Sequence, residues 1–64
     1  MFKKIRERKI TNKINAIKAT PSAFNPALIA FVHADAAIQL YKGKISREFF
    51  NKTFCKTAKE IAEG

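Results

Sequence analysis

Disulfide-forming, metal-binding and turn-forming residues are scarce in this sequence. Its 64 residues include one cysteine, one histidine, no tryptophan, two glycines and two prolines, and only five are acidic. Cys55 has no partner for an intrachain disulfide, which excludes the framework of small secreted domains and makes a reducing cytoplasm the expected compartment. His33 is the only histidine, and a zinc site needs three or four clustered donors, so no metal and no cofactor are expected. Gly43 and Gly64 are too few for a glycine-rich phosphate loop. His33 and Cys55 fall on different predicted helices at unrelated spacing, so no nucleophile–base or acid–base pair is in view and no enzyme is expected. His33 reads as a buried or interface histidine with one hydrogen bond, and Cys55 as a small packing residue near Phe54.

Long apolar runs are also missing. The uninterrupted stretch Ala27 to Val32 is followed by His33, Asp35 and Gln39, well short of the about 20 apolar residues that span a bilayer. Ala34-Asp35-Ala36 has the small-x-small form of a signal cleavage site. The charged leader before it would run to Pro26, however, and the apolar core is too short.

Positive charge is abundant. Thirteen Lys and Arg against five Asp and Glu give +8, which favours anionic partners. Residues 1–18 hold Lys3, Lys4, Arg6, Arg8, Lys9, Lys13 and Lys18 against Glu7 alone, whereas residues 19–41 carry only Asp35. The remainder, 42–64, mixes both signs. The chain therefore divides into a basic segment (1–18), a connector (19–25) and an apolar-then-mixed pair of helices (26–63) within one small domain of 64 residues.

Three helices are predicted, which makes the protein all-α. Asn25-Pro26 starts the central one, with Asn25 as cap and proline at the first helical position, and Gly43 stops it. Its apolar residues lie nearly all round. Ala27, Ala30, Ala34 and Ala37 form a small-residue stripe, and Leu28, Phe31, Val32, Ile38 and Leu40 cover most of the rest. Ser46 caps a helix reaching about residue 63, with Ile45 and Phe50 as a hydrophobic staple. Along it Phe50, Phe54, Thr57, Ala58 and Ile61 keep one stripe. These two helices, about residues 26–42 and 46–63, make a helical hairpin. In the basic segment Ile10, Ile14 and Ile17, with Phe2 and Ile5 beside them, favour one continuous amphipathic helix over a mobile arm. A central helix apolar on every side needs neighbours on every side, so completion as a homodimer or on a partner protein is expected, through Ala27, Ala30, Phe31, Ala34, Ala37, Ile38 and Tyr41. Asp35 stands either at a wet edge, paired with a cation, or as a register mark against a partner helix.

The expected function is stoichiometric binding. Lys3, Lys4, Arg6, Arg8, Lys9 and Lys13 are the candidate contacts to the phosphates of DNA or RNA, driven by counterion release rather than base reading. They surround the helix axis, and Phe2 is the only aromatic residue beside them, which suits an electrostatic patch rather than a sequence reader. The alternative is an accessory protein of the kind phages use, docking Phe31, Ile38, Phe49 and Tyr41 of its apolar helices on a larger, acidic protein. Two further readings fit less well. A helix-turn-helix across Tyr41–Ser46, with Arg47, Asn51 and Lys52 facing a groove, has too long a first helix and turn. An interfacial membrane anchor at Met1–Arg6 has a narrow apolar face without tryptophan.

Overall fold

Ile10, Ile14 and Ile17 recur at helical spacing, and in the computed structural model, which describes residues 2–63, they lie on an unbroken α1 (Phe2–Ala19). Ile10 and Ile14 are buried and Ile17 packs beside them. Ile5, expected on the same face, is instead 54% exposed, because five residues at 100° each turn it about 140° round the helix from Ile10. The side chains of Met1 and Phe2 lie outside the described residues.

α2 (Asn25–Tyr41) runs between the two signals expected to bound it. At its end Gly43 adopts φ +74, the left-handed conformation that a side chain disfavours. The Gly43 amide donates to the Leu40 carbonyl and the Lys44 amide to that of Gln39, at 3.0 and 2.8 Å, so the last carbonyls of α2 are satisfied as in a Schellman motif. Its start differs from expectation. Asn25 is the first helical residue rather than the cap, and its side chain is buried and turned back towards α1. There Nδ2 donates to the carbonyls of Ile17 and Thr20, both at 3.0 Å. Phe24 takes the cap position and no side chain caps the helix; Ser22 orders the turn before it, its Oγ accepting the Phe24 amide at 3.1 Å and its carbonyl the Asn25 amide at 3.2 Å.

The second half of the hairpin is not one helix. α3 (Arg47–Thr53) stops after two turns, and α4 (Ala58–Glu63) begins anew after the turn at Phe54–Thr57. Thr57 and Glu60 form a reciprocal capping box. The Glu60 carboxylate accepts the Thr57 amide and hydroxyl at 3.1 and 2.9 Å, and the Thr57 hydroxyl accepts the Glu60 amide at 3.2 Å. This local alternative, with the poor helix formers Asn51 and Thr53 just before it, outcompetes continuation of α3. Phe50, Phe54, Ala58 and Ile61 nevertheless still pack against the core, whereas Thr57 leaves the stripe to cap.

The core is small: Ile10, Ile14, Ile29, Val32, Ala36 and Ile45, with α2 packed against all three other helices. The molecule measures 33 × 18 × 16 Å. A cross-section that narrow holds only about two helix diameters of 10–12 Å each way, so α2 cannot be surrounded by its own chain.

Candidate nucleic-acid interface

Lys3, Lys4, Arg6, Arg8, Lys9 and Lys13 are all exposed along α1. They fall on two flanks of the buried isoleucine line. Arg6, Lys9 and Lys13 share one flank at intervals of three and four. Lys4 and Arg8 continue through Thr11 and Asn15 to Lys18 on the other, again at alternating intervals of four and three. Lys3 stands at the N-terminal end of the isoleucine line itself.

The second flank borders an open groove of about 500 Å³ between α1 and the α3–α4 pair. Thr11, Asn15 and Lys18 form one wall and Lys52, Thr53 and Lys56 the other, over a floor of Ile14, Phe49 and Ile61. Three lysines from two distant parts of the chain thus meet in one groove. As neighbours of Lys18, neither Lys52 nor Lys56 is legible in the sequence, where Lys52 enters only the helix-turn-helix reading, because their proximity to Lys18 depends on how α3 ends and where α1 lies. The only local signal was their own i,i+4 spacing. Arg47 and Asn51 are exposed on a different side of α3 from Lys52, and a helix of seven residues offers little length to a groove reader.

Glu7 explains why α1 carries so little compensating charge. Its carboxylate reaches across to accept the Ser46 backbone amide at 2.9 Å, while the Ser46 hydroxyl accepts the Phe49 amide at 3.1 Å. A capping box normally draws its acid from the third helical position, which here is Phe49; Glu7 supplies it from another helix. The acid of the groove, Glu60, is likewise occupied. The amide and hydroxyl of Thr57, followed by nearby Lys56, hold its carboxyl below the ordinary value of 4.5, so at neutral pH it offsets one of the three lysines.

Comparison with known proteins finds no match among family models, curated proteins or solved structures.

The remaining sequence candidates fall as follows. His33 is exposed rather than buried, its ring stacked on Phe54 at 4.8 Å and tilted to Phe50 at 5.4 Å, and those two rings lie 5.1 Å apart. Cys55 is exposed in the α3–α4 turn and lines the groove rather than packing inside. Asp35 is half-buried and accepts a hydrogen bond from Gln39 Nε2 at 2.8 Å, an i,i+4 contact within α2. Phe49 is half-buried against the core and leaves the docking face. Ala27, Ala30, Phe31, Ala34, Ala37, Ile38 and Tyr41 are all exposed, on the side of α2 away from the core. Among the described residues no three His, Cys, Asp or Glu side chains are grouped as a metal site, and no helix is long and apolar enough to cross a membrane.

Proposed function

We propose that the protein is a non-enzymatic nucleic-acid-binding protein with an accessory or regulatory role in a reducing cytoplasm. It contacts phosphates through α1 and the adjoining groove, as a dimer whose central helices hold two copies together. The observation that carries this reading is the convergence of Lys18, Lys52 and Lys56 on a groove that continues the exposed Lys4–Arg8 flank, with Glu7 drawn off to Ser46. Cations arranged along a groove, three lysines against the single carboxylate of Glu60, can release the counterions of a phosphate backbone, and nothing in the arrangement reads base edges.

The test is fluorescence anisotropy of labelled duplex DNA and single-stranded RNA at several salt concentrations. Binding should weaken steeply with salt, and each phosphate contact removed should lower the log–log slope by about 0.9 on DNA. The triple variant Lys4→Glu/Arg8→Glu/Lys18→Glu should lose binding, and Arg6→Glu/Lys9→Glu/Lys13→Glu should lose less. Equal losses from the two flanks would remove the groove from the reading, and no binding at low salt would end it.

One observation favours a second reading. Phe24, Phe31 and Tyr41 are 73%, 75% and 92% exposed, a large apolar surface for so small a protein. An accessory protein, phage-type or host, that docks α2 on a larger acidic protein would use that surface and tolerate reversal of the α1 charges.

A further inference from the structure

The outward side of α2 is regular. Phe24, Ala27, Phe31, Ala34, Ile38 and Tyr41 follow at intervals of three, four, three, four and three, the seven-residue repeat by which two helices mesh, and all six are exposed. Phe24 immediately precedes the helix and the other five lie within it. Apart from its end, the line alternates large and small. Asp35 is the only formal charge between residues 24 and 41, so the cations responsible for +8 lie off this face.

The geometry points to an antiparallel pairing of α2 with α2 of a second copy, about a two-fold axis level with the midpoint between Phe31 and Ala34. In that register Phe31 meets Ala34 of the second copy and Ala27 meets Ile38, each pairing occurring twice by symmetry. A large side chain faces a small one in all four central layers. Phe24 and Tyr41 meet at the two ends, where Phe24 lies outside the helix proper. A parallel pairing sets each residue on itself, so that Phe31 crowds Phe31 while Ala34 faces Ala34 across a void, and both defects are costly. Ala30 and Ala37 lie on one flank of the seam, where their small side chains let the backbones approach.

The area agrees with a second copy as occupant. Phe24, Leu28, Phe31, Ile38 and Tyr41 leave on the order of 600 Å² open per chain, taking fully exposed large side chains at roughly 150–250 Å² each. With the four exposed alanines Ala27, Ala30, Ala34 and Ala37, this approaches the about 800 Å² per partner of a stable interface. An isologous contact requires a patch complementary to itself, and a large–small alternation that balances under a two-fold meets that requirement.

This inference rests on the dimer of the proposed function, and its test contains no nucleic acid, so failure of phosphate binding leaves it untouched. Sedimentation equilibrium of the Cys55→Ser chain should give a dimer at micromolar concentration. Phe31→Glu should raise the dissociation constant by about 30-fold or more with helicity unchanged, because Phe31 makes no part of the core. Register is read by disulfide trapping in the same background, mixing differently tagged Ala27→Cys and Ile38→Cys chains. The mixed disulfide should dominate over either self-pair. A monomer, predominant self-pairing at position 27, or the absence of any cross-link would each overturn the antiparallel arrangement.

Discussion

Asn25 donates both protons of its amide to carbonyls outside its own helix, Ile17 in α1 and Thr20 in the connector, while lying 7% exposed. Removing it leaves those carbonyls without their donor, so Asn25→Ala should cost about 1–3 kcal/mol in urea unfolding. Asn25→Asp, nearly the same shape, should cost at least as much because its carboxylate faces two acceptors. Gly43 is the converse case. A Cβ there would meet nothing within 4 Å, yet φ +74 strains any side chain, so Gly43→Ala should lower stability by about 1–2 kcal/mol without disturbing packing. Both effects are large fractions of the total for a chain of this length. The stop at Gly43 was legible because its signal is local. Asn25 was read one step wrong for the opposite reason: Asn-Pro marked the start of a helix correctly, but the atoms its side chain binds lie five and eight residues upstream. Glu7 is harder still, since nothing near it in the sequence announces that it completes the cap of a helix forty residues on.

The elements repeat this division between local and distant information. The isoleucine spacing of α1 and the proline and glycine bounding α2 are periodic or positional signals, and both helices were expected with nearly their observed ends. The break between α3 and α4 also had a local signal, Thr57 and Glu60 three residues apart. The apolar pattern hides it, because Phe50, Phe54, Ala58 and Ile61 keep one stripe whether or not the helix is continuous. The cap makes the acid behaviour of α4 predictable. A carboxyl whose value is lower in the folded chain stabilises it above the unfolded value near 4.5 and loses that contribution as pH falls through the folded value. Amide exchange should therefore show α4 fraying in that acid range before α2 does. Glu60→Gln should remove the pH dependence and, by relieving the groove of its one acid, strengthen binding to phosphates.

For the whole molecule, composition told more about charge than about shape. The +8 and its concentration in the first 18 residues needed no structure, whereas the groove joining Lys18 to Lys52 and Lys56 exists only once three elements are assembled. Cys55, exposed on that groove, supplies a direct reporter: a fluorophore attached to its thiol should change emission when duplex DNA is added, and lose that change in the Lys4→Glu/Arg8→Glu/Lys18→Glu variant.

α2 buries one side against α1, α3 and α4 and turns the opposite side outward, so an antiparallel dimer has its basic surfaces on its two far faces, back to back. Such a particle can hold one duplex on each face but cannot wrap both copies around the same one. Near one chain per about eight phosphates, where +8 neutralises its template, it should tether separate duplexes into a network that scatters light and sediments at low speed. Phe31→Glu should coat the same DNA and leave the solution clear.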